Sequence, residues 1–410
     1  MSLPHCAFCR LSLTHVFVDL GMSPLVSSYL TDADLSRMEP FYPLRAFVCD
    51  SCLLVQLPQA ETPEKLFGDY PYLSSTSSSW LRHAERFVES TIERLGLGKE
   101  HHVVEIASND GYLLQNFLKR GIKALGVEPA ANIGALARAK GVETLTAFFG
   151  TETARQLAGE GRSADLIVAN NVLAHVPDIN DFVEGVRLLL RPKGTASFEF
   201  PHLLRTMIGN QFDQVFHEHF SYLSLHAVQT IFAAHGLTVV EVVDLKTHGG
   251  SIRVWARYAG ENPQIDPSVE AVLSAERSAG LDRPQGYDDF AARAMRVKRE
   301  LLKLLIDLRS KGHRIAGYGA PGKGSVLLNY CGIRSDLVEY TVDLSPTKQG
   351  RYLPGVHLPI YAPDRIRTDR PDYVVILPWN LRDEIMEQLS FIRTWGGRFI
   401  VPIPDPVILA

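Results

Sequence analysis

The segment DQVFHEHFSYLS, Asp213–Ser224, concentrates side chains able to move protons: His217, Glu218, His219 and Tyr222. An imidazole with an ordinary pKa of about 6.5 can act as a general base near neutrality. Histidines two residues apart do not share a helical face, so this is not the zinc pattern H-E-x-x-H. On an extended segment they would share a face, with Glu218 opposite and able to orient its partner. The plainer alternative is a pair of histidines satisfied within a loop. Upstream, EFPHLL places Glu199 and His202 at a strand end, another position able to face a cleft. Downstream, THGGSIRVW supplies His248, Gly249 and Gly250. Paired glycines let backbone amides approach an anion, or simply make a turn. The aromatic, serine-rich stretch Phe67–Trp80 offers Tyr70 and Tyr72 as parts of a lid; it reads equally as a linker turn and helix cap.

The cysteines suggest a second kind of chemistry. Cys6 and Cys9 form one C-x-x-C pair, Cys49 and Cys52 another, and Cys331 stands alone. Each pair places two thiolates on one tight turn, and two pairs complete a tetrahedron around zinc. A redox motif would need only one pair, normally at a helix start. With all four thiols as ligands no position stays open, so the metal is expected to be structural.

Two glycine turns compete for a nucleotide. In E-I-A-S-N-D-G, Glu105–Gly111, the chain leaves an apolar strand and enters a helix through Asn109 and Gly111. Glu128 ends the next strand 23 residues after Glu105, the span of one strand–helix–strand unit. A carboxylate there can accept the ribose hydroxyls of an adenosine. The second turn, GYGAPGKG, places Gly317, Gly319 and Gly322 in the dinucleotide pattern, with Asp343 following Gly322 by 21 residues. Lys323 suits a phosphate-bearing ligand. Packing of the turn, a substrate diphosphate and a nicotinamide cofactor all remain open readings here.

These residues require a scaffold of alternating strands and helices. HHVVEIAS, IKALGVEP, ADLIVANN and GTASFEFP read as strands separated by amphipathic helices. LTVVEVVDL and SIRVWARY follow as an antiparallel edge. A further strand–glycine turn–helix unit begins at HRIAGYGAPGKG. The expected fold is α/β: two doubly wound Rossmann-like domains preceded by a small zinc-binding module. The expected boundaries are 1–65 for the zinc module, 66–270 for the first α/β domain with its substrate-binding insertions, and 271–410 for the second. A chain of 410 residues is too long for one core. Its 42 basic and 46 acidic side chains show no dense basic run, so no nucleic-acid partner is expected. Neither a long uncharged apolar stretch nor an export signal is apparent, so a cytoplasmic chain without a membrane partner is expected.

Taken in order, these motifs resemble those of the zinc-containing sugar C-methyltransferases, which methylate C3 of TDP-linked 4-keto deoxysugars in antibiotic pathways. The paired C-x-x-C, DYPYLSSTS, EIASNDGYLL, GVEPA, NNVLAHV, FHEHFSYLS, THGGSIRV, GYGAPGKG and DLSPTKQGRYLPG carry the resemblance from residue 6 to beyond 355. It implies an S-adenosylmethionine-dependent enzyme with structural zinc and a TDP-linked keto-deoxysugar substrate; a monomer is the expected state.

On that resemblance His219 is the base, Glu218 its neighbouring glutamate, and Tyr70 the tyrosine of the aromatic loop. His217, Tyr70 or Tyr222 can donate to the ketone oxygen. Glu105, Asn109, Gly111 and Glu128 are expected at the cofactor. Asn171 meets its methionine part, and His175 touches cofactor or substrate or caps local structure. Tyr72, His202, His248, Gly249, Gly250, Gly319 and Lys323 are expected toward the substrate. Many relatives have tyrosine immediately before H-E-H; here Phe216 keeps the ring and lacks the donor. A nicotinamide-dependent sugar-nucleotide oxidoreductase using the second glycine turn, an O- or N-methyltransferase of a related sugar, and a non-catalytic zinc scaffold are the alternatives.

Overall fold

A computed structural model describes residues 3–68 and 73–410. Tyr70 and Tyr72 lie outside the described residues. The chain divides into two compact units, each assembled from several stretches. The first comprises residues 1–13, 49–202 and 220–283, and the second residues 14–48, 203–219 and 284–410.

The first unit is built on a seven-stranded sheet. Its strands are β1 (His102–Ile106), β2 (Lys123–Val127), β3 (Thr144–Leu145), β4 (Ala164–Asn170), β5 (Leu190–Pro201), β6 (Leu237–Leu245) and β7 (Ser251–Tyr258). Their order is β6-β7-β5-β4-β1-β2-β3. The strands from β3 to β5 pair in parallel, and β7 joins β5 antiparallel, as β6 joins β7. The antiparallel edge expected from the two closing β-branched runs is therefore present. Strand order reverses beside β1, so its carboxyl end opens onto the crevice where doubly wound sheets bind ligands.

Helix α1 (Ser78–Leu95) shows how the sequence builds this unit. Ala84, Phe87, Val88 and Thr91 recur at helical spacing and are its buried residues. The Ser77 hydroxyl accepts from the Trp80 amide at 3.2 Å, and left-handed Gly96 (φ 61°) ends the helix. Phe87 and Val88 pack with Val103, Leu114, Phe117 and Trp255 in a buried cluster. Burial of a side chain such as Phe87 contributes about 1.5–3 kcal/mol.

The second unit contains a six-stranded sheet. Its strands are β8 (Ile315–Tyr318), β9 (Thr341–Val342), β10 (Ile360–Tyr361), β11 (Tyr373–Ile376), β12 (Arg398–Val401) and β13 (Val407–Leu409), in the order β10-β9-β8-β11-β12-β13. All neighbours pair in parallel except β12 and β13. A hairpin of His15–Ser23 and Tyr42–Val48, lying between the two thiol pairs in sequence, belongs to this unit. Phe17 of that hairpin stacks on Phe290 with ring centroids 4.5 Å apart. Both α/β units are thus Rossmann-like, and the expected fold class is observed. Among the described residues no helix is long and apolar enough to cross a membrane.

Candidate functional site

The four paired thiols converge. Cys6, Cys9, Cys49 and Cys52 have their sulfur atoms all within 4.8 Å of one another. The two C-x-x-C loops share one geometry. The Arg10 amide donates to the Cys6 carbonyl and the Leu53 amide to the Cys49 carbonyl, each at 3.0 Å. Both donors have left-handed backbones, with φ of 65° and 58°. Cys6 and Cys52 sulfurs lie 3.5 Å apart, and those of Cys9 and Cys49 3.4 Å apart. Tetrahedral zinc with bonds of about 2.3 Å sets its sulfurs about 3.8 Å apart. The Cys52 thiol donates toward Cys6 and lowers the Cys6 pKa, whereas burial raises that of Cys9. The donor set therefore fits a closed structural zinc site.

The first glycine turn forms at the carboxyl end of β1. Ala107 (φ 52°), Asn109 (φ 49°) and Gly111 (φ 77°) bend the chain through left-handed conformations. A Cβ on Gly111 would lie 2.7 Å from the Val142 side chain, so glycine is required by space as well as by φ. Glu128, at the end of β2, faces this turn. Its Oε2 accepts from the Asn109 amide and its Oε1 from the Ala130 amide, both at 2.9 Å. Burial raises its pKa, with the two amide bonds opposing. Glu105 is fully buried, and burial holds its pKa well above the ordinary value, although Tyr112 donates to it. Among the described residues, Glu105 Oε2, Asp110 Oδ1 and Asn171 Oδ1 are buried acceptors without a hydrogen-bond partner. Such orphaned acceptors suit a ligand rich in donors, namely ribose hydroxyls and an ammonium group. S-Adenosylmethionine carries both.

Ser74, Ser75 and Lys140 of the first unit contact this turn. The Ser74 amide donates to Asn109 Oδ1 at 2.9 Å, and the Ser75 hydroxyl bonds Asp110, which Lys140 also approaches at 2.9 Å. Asn171 (φ 53°) directs its Nδ2 toward His248 Nε2 at 3.4 Å. His248 (φ 53°), Gly249 (φ 89°) and Gly250 (φ 120°) form the turn between β6 and β7. His175 is half-buried against Phe67, with ring centroids 5.6 Å apart. Tyr222 is buried in a two-residue strand paired with Val55. His202 is buried, and its Nε2 lies 2.6 Å from Glu276, which also accepts from the Leu225 and His226 amides. This ties His202 to the start of the Leu225–Ala234 helix.

The H-E-H segment lies in the second unit. Phe212 meets the ring of Tyr330 edge-on, and buried Asp213 accepts from the Trp379 indole at 2.7 Å. Burial pushes the Asp213 pKa up to about 6, opposed by the Lys323 charge. These contacts anchor the chain just before the histidines. Phe216–His219 then form a tight turn, closed by the His219 amide donating to the Phe216 carbonyl at 2.9 Å. The segment is therefore not extended. Buried His217 has Nε2 3.3 Å from the Pro43 carbonyl, and burial lowers its pKa. Glu218 is buried and accepts from the Ser27 hydroxyl at 2.5 Å; burial raises its pKa. His219 is half-buried, its ring centroid 3.9 Å from that of Phe216. His219 Nδ1 lies 3.0 Å from the Gln214 carbonyl. A carbonyl only accepts, so a neutral His219 carries its proton on Nδ1 and its lone pair on Nε2.

The second glycine turn serves its own unit. Cβ atoms on Gly317, Gly319 and Gly324 would fall 2.9, 2.5 and 2.9 Å from Thr341, Pro378 and Leu377. Asp343 accepts from the Ala320 amide within the turn at 2.7 Å. Tyr29 and Lys348 both donate to the Ala320 carbonyl, at 2.6 and 3.0 Å. Lys323 donates to Asn380 at 2.7 Å and lies over the Trp379 ring. Burial lowers its pKa. The acidic strand end and the lysine are thus both engaged by the chain itself.

One buried polar group escaped the sequence reading as a network. Glu199 accepts from His83 Nε2 at 2.8 Å, Arg253 at 2.5 Å and Thr247 at 3.0 Å. Burial raises the Glu199 pKa, but these bonds and the Arg253 charge outweigh it and leave it below the ordinary value. His83 also stacks on Trp80, with centroids 4.9 Å apart.

Family comparisons match the chain in three consecutive parts. A zinc binding domain matches residues 6–67, a methyltransferase domain residues 80–242, and a C-methyltransferase C-terminal domain residues 246–404. The C-methyltransferase NovU of Streptomyces niveus is 39% identical over 393 residues, 96% of this chain and 94% of that protein. A ubiquinone biosynthesis O-methyltransferase of Bartonella tribocorum is 24% identical over 187 residues, 43% of this chain and 73% of its own. Among solved structures, the CcbJ methyltransferase of Streptomyces caelestis aligns with 47% of this chain and 95% of its own, at 15% identity and a TM-score of 0.36.

Proposed function

The chain belongs to the C-methyltransferase family, with a zinc-binding module and an S-adenosylmethionine-dependent methyltransferase fold, and from that premise we propose that its acceptor is C3 of a TDP-linked 4-keto deoxysugar. The observation that carries the proton-transfer part is the bond from His219 Nδ1 to the Gln214 carbonyl. It orients the imidazole and puts the lone pair on Nε2, as a general base needs.

A proton on C3 is acidified by the neighbouring C4 ketone, because its removal gives an enolate. His219 Nε2 takes this proton and holds it as an imidazolium, whose Nδ1–H keeps its bond to Gln214. When bound, the cofactor supplies an electrophilic methyl on a sulfonium, so carbon attack needs no catalytic metal. A donor at the C4 oxygen stabilises the developing charge. Tyr70 and Tyr222 carry phenols for that task, whereas His217 has its Nε2 at Pro43. Phe216 contributes its ring face to His219 and no hydrogen bond to the ketone.

Glu128 receives the ribose of the cofactor, with Asn109 and Gly111 shaping the turn beneath it. Glu105 and Asn171 offer their orphaned oxygens to its amino-acid end. Glu128→Gln removes a charged acceptor and sets an amide donor against the Asn109 or Ala130 amide. The expected loss is about 1.5–3 kcal/mol of cofactor affinity. Calorimetry with S-adenosylhomocysteine reads it, and equal affinities would move the adenosine site elsewhere. Production of a C3-methylated sugar nucleotide from S-adenosylmethionine tests the acceptor directly. A methyl on oxygen or nitrogen would replace this reading.

A further inference from the structure

The Glu199 network offers a role beyond ligand contact. Two left-handed, non-glycine residues, Asn171 and His248, meet side chain to side chain at 3.4 Å. Such backbones persist only where the surroundings over-determine them. Glu199 reaches both. Its carbonyl accepts from the Asn171 amide at 2.6 Å, while its carboxylate accepts from the Thr247 hydroxyl at 3.0 Å, one residue before His248. The carboxylate cannot swing away, because His83 and Arg253 hold it from α1 and β7. Trp80, stacked on His83, also lies edge-on to His248 with centroids 5.5 Å apart. Glu199 is fully buried, so its carboxylate depends on these partners.

We propose that Glu199 is a positioning residue, registering the Thr247–Gly250 turn against the Asn171 turn through the Thr247 hydroxyl on one side and the Asn171 amide on the other. The inference rests on the reading above, in which Asn171 belongs to the cofactor side and His248–Gly250 to the acceptor side. Registration of the two turns then sets the approach of carbon to methyl. A misplacement of about 1 Å at such a junction costs on the order of 10²-fold in rate.

Changing Glu199 itself would strand Arg253 in the interior, so the test is made at Thr247. Thr247→Val keeps the shape and loses the hydroxyl; Thr247→Ser keeps the hydroxyl. For Thr247→Val, kcat with a TDP-linked 4-keto-6-deoxysugar should fall at least about tenfold, with S-adenosylhomocysteine affinity within about threefold. Thr247→Ser should stay within about twofold of wild type in both. The Gly250 amide, which donates to the Thr247 carbonyl at 2.8 Å, provides a readout independent of the acceptor. Its hydrogen exchange should quicken about tenfold in Thr247→Val and return to normal in Thr247→Ser. Unchanged kcat or unchanged exchange in Thr247→Val overturns the proposal. So does a loss of cofactor affinity in step with kcat, which would mark general loosening, or a serine variant as impaired as the valine one. A wild type that binds S-adenosylhomocysteine yet methylates no sugar nucleotide would sink the acceptor reading instead. The exchange comparison alone would then decide the registration.

Discussion

His219→Asn should nearly abolish methyl transfer, lowering kcat by about 10²–10⁴-fold, while both ligands still bind. Asparagine can keep a donor toward the Gln214 carbonyl but has no basic lone pair to receive a carbon-bound proton. The effect should therefore appear in kcat with little change in cofactor affinity. His217→Asn makes the contrast. His217 is buried and meets the Pro43 carbonyl, so its loss should lower stability more than rate. Solvent exchange isolates the proton step. In heavy water, with S-adenosylhomocysteine in place of the methyl donor, wild type should wash deuterium into C3 of the keto sugar, and His219→Asn should not. Full exchange and full methylation by the variant would remove His219 as the base and return attention to Glu218 and Tyr222.

Removing the metal should be equally severe, but through folding. The purified chain should contain about one zinc ion, and a strong chelator or Cys49→Ser should unfold the thiol module before any change in chemistry is seen. Structural zinc contributes about 10–16 kcal/mol in small zinc folds, as much as the about 5–15 kcal/mol that holds a whole domain. The loops at Cys6–Cys9 and Cys49–Cys52 each depend on a left-handed residue, Arg10 and Leu53, whose backbone cost the metal offsets. Thermal melts with and without chelator, read beside elemental analysis, test this. A metal-free preparation with an unchanged melt and full activity would exclude structural zinc.

Much of the fold was legible because its signals are local. VVEI before S-N-D-G, and GVEP 23 residues after Glu105, announce strand, turn and strand from β-branched runs and a glycine. Thiol spacing within each C-x-x-C announces the knuckle that brings two sulfurs together. What stayed hidden depends on partners far apart in the chain. Glu199 and His83 are 116 residues apart, and nothing local to either shows that they meet. The turn at His217–Glu218 is set by a backbone bond and by contacts at Pro43 and Ser27, so alternation along the segment could not reveal it. Lys323 reads as a phosphate ligand by its place in a glycine turn, yet Asn380 and Trp379 draw its ammonium inward. The glycine pattern there records close packing against Pro378 and Leu377 as well as any ligand could.

The fate of the methyl group itself distinguishes carbon from heteroatom methylation most directly. S-Adenosylmethionine labelled with ¹³C in its methyl is incubated with the enzyme and a TDP-linked 4-keto deoxysugar, and the product is examined by carbon NMR. The expected product carries a labelled methyl bonded to C3, formed by wild type and not by His219→Asn. A labelled methyl on oxygen or nitrogen, or a C3-methylated product formed equally well by His219→Asn, would contradict this expectation.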